Sequence, residues 1–139
     1  MSTYHNTITF QTRGNCDIID VTQRVSDIVK ESELGTGICT VFCSGSTGAL
    51  TTIEYESGLL KDFPDAMERI APKNVEYAHD QRWGDGNGHS HVRASLVGPS
   101  LTIPFVSRKL TLGTWQQVVF VDYDNRPRNR ILEIVIIGE

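Results

Sequence analysis

The sequence predicts an α+β fold in which helices pack on a largely antiparallel sheet. Three observations predict it. Strand-like stretches outnumber helical ones, seven or eight against two or three. The helices do not alternate regularly with the strands, which argues against a parallel βαβ plan. The two clearest strands, Gln116–Tyr123 and Ile131–Gly138, flank the turn-rich run Asp124-Asn125-Arg126-Pro127-Arg128-Asn129, so they are expected to pair as an antiparallel hairpin.

The 139 residues make a single domain, 1–139, long enough to bury a core without disulfide staples. Hydrophobic residues make up 39% and charged residues 22%, the balance of a globular chain and not a disordered one. The net charge of −4 comes without any basic block, which excludes a large nucleic-acid footprint. No apolar run approaches the roughly 20 residues needed to span a bilayer, so no membrane partner is expected. Three cysteines at irregular spacing do not form a secreted disulfide framework, and the polar start STYHNTITF does not read as a signal peptide. A cytoplasmic protein is expected.

Residues 4–13 alternate and are rich in Thr, Ile and Phe, a strand signature, and Gly14-Asn15 turns the chain. Ile18 and Ile19 begin a short extended piece. Asp20 then reads as a helix N-cap or N-terminal residue, with Val21, Val25, Ile28 and Val29 at helical spacing up to Glu33. Ile38–Cys43 is nearly continuously apolar and is expected to be a buried strand. Cys39 and Cys43 share one face of it and read as core residues. Ser44-Gly45-Ser46-Thr47-Gly48 is a small-residue loop: either a tight hairpin connection or a cradle of N–H groups for an anion. It lacks the lysine and glycine spacing of a P-loop. Residues 49–55 are the next strand. A second helix runs from Ser57 or Gly58 to Ile70, with Pro64 requiring a late start or a kink. Val92–Val97 favours a short helix, because Arg93, Ala94 and Leu96 are good helix formers. Leu101–Val106 is a strand whose Pro104 suits an edge or bulge, and Lys109–Leu112 is a short one. Arg126, Arg128 and Arg130 read as a solvated basic turn.

The stretch Tyr77–Gln116 carries the chemistry. It holds His79, His89 and His91 and both tryptophans, Trp83 and Trp115. Imidazoles that converge can hold a transition metal. On a strand the His89-x-His91 pair would share a face; on a helix it would not, and convergence would have to come from the fold. The glycine-rich run Gly84–Gly88 lets backbone approach a ligand closely; a surface loop merely rich in histidine is the plain alternative. Asp80 and Asp85 either orient imidazoles or are ordinary loop acids. Trp115 reads as packing at a strand start or an interface.

Within this stretch Tyr77-x-His79, Gly86-Asn87, His91-x-x-Ala94-Ser95-Leu96-x-Gly98-Pro99-Ser100, Thr102-x-Pro104 and Leu110-x-Leu112-Gly113-Thr114-Trp115-Gln116 together resemble the YjbQ family, as does Leu34-x-x-Gly37-x-Cys39-Thr40-Val41-Phe42 upstream. The resemblance covers nearly the whole chain. It implies a compact domain with a β-sandwich-like core, assembly as a homotrimer, and a histidine-lined pocket near the subunit interface for metal ions or anions. Some members look like secondary thiamine-phosphate synthases, which join a hydroxymethylpyrimidine diphosphate to a thiazole phosphate and release diphosphate. On that basis His79, His91 and Glu54 are the expected catalytic residues. His79, His89 and His91 would hold zinc or a similar divalent metal. Ser46, Thr47, Asn87, Arg93 and Ser100 would bind a small phosphorylated molecule or anion.

The chain departs from the family at one place. Where the family usually has His-Thr-Thr-Ala-Ala-Leu-Thr-Ile-Asn-Glu, this chain has Gly45-Ser46-Thr47-Gly48-Ala49-Leu50-Thr51-Thr52-Ile53-Glu54. Gly45 replaces a histidine and Ile53 an asparagine, while Glu54 remains. His89 or Cys43 is the expected compensation. Two other functions stay open: a metal-dependent hydrolase or lyase, and a non-catalytic trimeric protein that binds a metabolite or metal.

Overall fold

The computed structural model describes residues 1–139. Its elements are β1 (Ser2–Thr12), β2 (Asp17–Asp20), α1 (Thr22–Glu31), β3 (Gly37–Cys43), β4 (Gly48–Ile53), α2 (Leu59–Ile70), α3 (Ala78–Trp83), α4 (Gly88–Val97), β5 (Ser100–Val106), β6 (Lys109–Leu110), β7 (Gln117–Asp122) and β8 (Arg128–Gly138). The strands form two antiparallel sheets, ordered β1-β8-β3-β5-β6 and β2-β7-β4. The α+β expectation holds, with four helices where the sequence suggested two or three.

Two apolar layers follow from strand alternation. Between the sheets, Cys39, Val41 and Cys43 of β3 and Leu132, Ile134 and Ile136 of β8 meet Leu50, Val118 and Phe120 of the smaller sheet. Helix α1 seals this layer with Val25, Ile28 and Val29. Behind the smaller sheet, Val119, Val121 and Ala49 pack against Met67 of α2 and Ala94 of α4. Strand β7 is therefore covered on both faces.

That double cover overturns the expected C-terminal hairpin. Strand β7 lies between β2 and β4, whereas β8 lies between β1 and β3 in the other sheet. A strand apolar on both faces belongs in the middle layer. Strand β8 instead alternates buried and exposed residues and pairs with β1 over its whole length, Ser2 opposite Gly138 and Thr12 opposite Arg128. The connection between them crosses from one sheet to the other. Strand β3 also differs from expectation: it alternates, with Ile38 and Phe42 exposed on the outer face of the larger sheet beside Ile131, Val135 and Ile137.

The helix signals read well locally. Asp20 Oδ1 accepts from the Thr22 N–H at 2.9 Å and from its hydroxyl at 2.6 Å, holding the entry to α1. Helix α2 is unbroken from Leu59 although it contains Pro64. The Glu56 carboxylate accepts the N–H groups of Gly58 and Leu59 at its start, where a negative charge also suits the helix dipole. Ahead of the glycine loop, where the sequence predicts no element, Ala78–Trp83 forms the short helix α3, closed by Gly84 in the left-handed conformation at φ 67°.

The crossover from β7 to β8 carries a buried ionic network, so the arginine turn is not simply solvated. Arg130 donates to both Asp122 oxygens, Nε at 2.7 Å and Nη2 at 2.8 Å. Thr12 donates to Asp122 at 2.6 Å. Thr47 donates to Asp124 at 2.9 Å and accepts from Arg130 at 2.8 Å, while Arg128 pairs with Asp124 at 2.9 Å. Asp122 and Asp124 are fully buried. Removing one member leaves an uncompensated buried charge, at a cost of about 3–5 kcal/mol. Asp122→Ala is expected to lower unfolding stability by about that amount in urea titration; a loss under about 1 kcal/mol would show that the pair contributes little.

Candidate functional site

Three elements converge at one edge of the helical layer: α3, the loop 84–87 and the start of α4. Gly84 and Gly86 both adopt positive φ, 67° and 64°, which glycine does at no steric cost. The loop thereby turns back and brings Asp85 to His79. His79 Nδ1 lies 3.4 Å from Asp80 Oδ1 and 3.5 Å from Asp85 Oδ1. One ligand atom from each of these three residues falls within 4.8 Å of the others. Both carboxylate oxygens are oriented by loop amides: the Gly88 N–H donates to Asp80 Oδ1 at 2.8 Å and the Asn87 N–H to Asp85 Oδ1 at 3.1 Å. Gly88 has to be glycine, because a Cβ there would lie 2.6 Å from the Tyr77 Cβ and 3.1 Å from Asp80 Oδ1.

The His91 ring stacks on that of His79 with centroids 4.3 Å apart. Burial, and then the neighbouring His79, push the His91 pKa below the ordinary imidazole value; Asp85, Asp124 and Asp80 partly offset this. His89 lies on another side of α4, as two residues turn a helix by about 200°. It is buried, with Nδ1 unpartnered, and burial followed by the charges of Arg93 and Lys73 lowers its pKa. The donor group that converges is thus His79, Asp80 and Asp85, with His91 against it and His89 outside it.

The other expected site residues are dispersed. Asn87 is buried, and its Oδ1 accepts the Asn125 N–H at 3.1 Å beside the cluster. Thr47 is tied into the buried ionic network, and Ser46 lies exposed on the same loop. Arg93 is buried and clamps α4 to α2, donating to the Ala71 carbonyl at 2.9 Å and to Glu68 at 2.6 Å. Ser100 opens β5 opposite Phe42 on the larger sheet. Glu54 is exposed just past β4, at the opposite end of that strand from Thr47. Cys43 is sealed in the core, its thiol pKa raised by burial. Trp115 is 72% exposed and packs no strand start within the chain.

One residue of consequence escaped the sequence reading. Asp124 is wholly buried, and its Oδ1 has no hydrogen-bond partner. Burial alone would raise its pKa, but Arg128 and the Thr47 hydroxyl on Oδ2, with the Asn87 amide nearby, outweigh burial and hold it below the usual carboxylate range. Its negative charge is felt by His91. The signal was the Asp-x-Asp pair ahead of alternating arginines, charges spaced as strand residues of one face. Taken together, two imidazoles and the two carboxylates of Asp80 and Asp85 surround this edge, a setting that favours a cation, while Asp124 behind them is paired with Arg128.

Comparison with known proteins places the chain among close relatives. Residues 6–139 match the family described as UPF0047 protein YjbQ-like. A UPF0047 protein of Methanothermobacter thermautotrophicus is 35% identical over 139 residues, covering 100% of this chain and 95% of its own length. One from Archaeoglobus fulgidus is 37% identical over 123 residues, 88% of this chain and 93% of its own. The crystal structure of a YbjQ-like protein of unknown function from Sulfolobus solfataricus superposes with a TM-score of 0.93 at 30% identity, covering 99% of both chains. A YjbQ/UPF0047 protein from Clostridium acetobutylicum gives a TM-score of 0.87 at 32% identity, over 95% of this chain and 99% of that one.

The two depressed histidines make stability depend on pH. In the unfolded chain an imidazole titrates near 6.5, above the folded values of His89 and His91. Below that value the unfolded state binds more protons, so stability is full above about pH 7 and declines as pH falls through 6.5 towards the folded pKa values. Denaturation midpoints measured from about pH 8 to 5 are expected to fall, and His89→Gln to flatten part of that slope. Parallel curves for the two proteins would refute the assignment to His89.

Proposed function

The chain belongs to the YjbQ-like UPF0047 family, and from that membership and the geometry of the histidine edge we propose that it binds a divalent metal and acts on a small phosphorylated molecule. The observation that carries this reading is the convergence of His79, Asp80 and Asp85 within 4.8 Å, with His91 stacked alongside. A mixed imidazole–carboxylate set suits zinc, manganese or iron(II) better than magnesium, which prefers oxygen donors and keeps its waters. When bound, such an ion supplies Lewis-acid polarisation of a phosphoryl oxygen or an acidified water. The chain's own residues do the rest. Gly88 and Asn87 N–H groups hold the two carboxylates in place. His91, kept neutral near pH 7 by its depressed pKa, is available as a proton acceptor beside the cluster.

Thiamine-phosphate-synthase-type transfer, with diphosphate as leaving group, is the first reaction to test, and metal-dependent hydrolysis or lysis of a phosphorylated compound the second. The position of Glu54, distant along β4 from Thr47, favours His91 over Glu54 as the proton-moving group within one subunit. A non-catalytic metal- or metabolite-binding role is the outcome if metal binds and no turnover accompanies it. We also infer a homotrimer, supported by the exposed apolar side chains Ile38, Phe42, Ile131, Val135 and Ile137 on one sheet face and by exposed Trp115.

Titration of chelator-treated protein with zinc or manganese is expected to give one site per chain. His79→Ala should weaken it by about 100-fold or more, and His89→Ala should leave it within about threefold. Equal binding by wild type and His79→Ala would sink the metal reading. Light scattering is expected to return about three times the 15.5 kDa chain mass, and Ile137→Glu to reduce it to one. A monomeric wild type would rule out the trimer.

A further inference from the structure

Strand β1 ends the larger sheet, and one side of its backbone meets no other strand. Its Thr7 N–H turns to the Asn6 side chain, at 2.8 Å, and not to β8. Alternation along an antiparallel strand then places the outward amides and carbonyls at Thr3, His5, Thr7, Thr9 and Gln11. Proteins blunt such edges with lysine, proline or a bulge. Strand β1 has none of these: STYHNTITFQT holds no lysine, arginine, carboxylate or proline, and it pairs in unbroken register with β8. Helix α1 runs beside this edge in the opposite direction. Glu31 accepts from Asn6 Nδ2 at 3.3 Å, and the Arg24 guanidinium lies 5.7 Å from the centre of the Phe10 ring. Between strand and helix lies an open groove of about 360 Å³, floored by Asn6–Thr9 and walled by Arg24, Asp27 and Glu31. These three charged side chains are exposed, and none of them makes an ion pair.

We propose that this groove docks an extended segment of a partner protein, which joins the larger sheet as a strand antiparallel to β1 and carries the pattern acid-x-base-x-base. Main-chain hydrogen bonds to the outward residues of β1 supply affinity, and alternate side chains supply specificity. Those alternate side chains turn towards α1, because they share the face of Ile8, which packs in one core with Ile28. Residues three or four apart on a helix stand about 5–6 Å from one another, and alternate residues of a strand about 6.5–7 Å. Three successive inward side chains of the added strand therefore match Arg24, Asp27 and Glu31 in turn. Arg24 lies at the Phe10 end of the groove and Glu31 at the Asn6 end. A strand antiparallel to β1 meets Arg24 first, which sets the order of charges: a carboxylate, then two cations. With two carboxylates against one guanidinium, the groove selects a net basic segment.

The test is fluorescence anisotropy with a labelled, capped peptide, Thr-Glu-Val-Lys-Val-Lys-Thr, titrated with the full chain. Saturable binding at one site per chain is expected. Two further peptides probe the contacts without altering the protein. Exchanging the charges, to Thr-Lys-Val-Glu-Val-Glu-Thr, should weaken binding by about tenfold or more. N-methylation of both valine amides, the donors that face β1, should weaken it by about as much. On the protein side, Asp27→Lys/Glu31→Lys changes two exposed positions; it should bind the first peptide about tenfold or more weakly and the charge-exchanged peptide more tightly than the wild type does. No saturable binding to the wild type, equal binding of the N-methylated peptide, or undiminished binding by the double variant would overturn the proposal. So would a light-scattering mass that falls on Thr9→Pro, a substitution an edge strand tolerates and which removes one outward donor, since that result would assign the edge to a second copy of the chain.

Discussion

The structure depends on the ionic crossover between β7 and β8. Asp122 ends a strand in one sheet and Arg130 lies in a strand of the other, and their bidentate pair is buried where the two sheets meet. A pair so placed is costly to desolvate and contributes little net stability over an apolar replacement. Its value is positional. Guanidinium and carboxylate must meet in one geometry, which fixes how the chain passes from the middle layer to the outer sheet. Thr12 of β1 and Thr47 ahead of β4 add hydrogen bonds to the pair, so four separate segments are registered by one set of charges.

The same crossover positions the candidate site. Tyr123–Asn125 is hydrogen-bonded to two of the three segments that build it, the loop 84–87 and the start of α4. The Tyr123 N–H donates to the Thr47 carbonyl at 2.9 Å, and Ser90 of α4 donates to the Tyr123 carbonyl at 2.5 Å. Asn125 donates through Nδ2 to the Asp85 carbonyl at 2.8 Å and through its N–H to Asn87. A loop as rich in glycine as 84–88 loses much conformational freedom when ordered. These bonds offset that loss, so the histidine edge owes its shape to the strand end as well as to the loop's own glycine turns.

This division explains what was legible in the sequence. Local signals were: the alternation in β1, the Asp20 turn into α1, the helix carrying His91 and the glycine loop all depend on neighbours in sequence. Partners across the fold were not. Two adjacent strands with a turn between them read as a hairpin, and hydropathy does not separate them, since β8 like β7 is apolar on both faces, with Ile131, Val135 and Ile137 turned outward. Ile38 and Phe42 look like core residues because hydropathy does not say which face has a second layer. Arg130 looked solvated because its partner Asp122 is contributed by another strand. The family resemblance named His79 and His91, yet the carboxylates that meet His79 came from geometry, since Asp80 and Asp85 are indistinguishable in sequence from ordinary loop acids.

Charge then distinguishes the two sides of this crossover. The histidine edge collects Asp80, Asp85 and the field of Asp124, and its imidazoles are donors to a cation once deprotonated. On the β3–β4 side the Arg130 guanidinium lies against Gly45 and donates to the Thr47 hydroxyl. Thr47 and Asp124 stand between them, hydrogen-bonded to each other and each turned to a different side. Asp122 and Asp124 are matched by arginines, whereas Asp80 and Asp85 have no arginine or lysine partner, so the histidine edge discriminates by unbalanced negative charge as well as by where its donors face. The buried quartet of Asp122, Asp124, Arg128 and Arg130 is what keeps those directions fixed while contributing no net charge of its own.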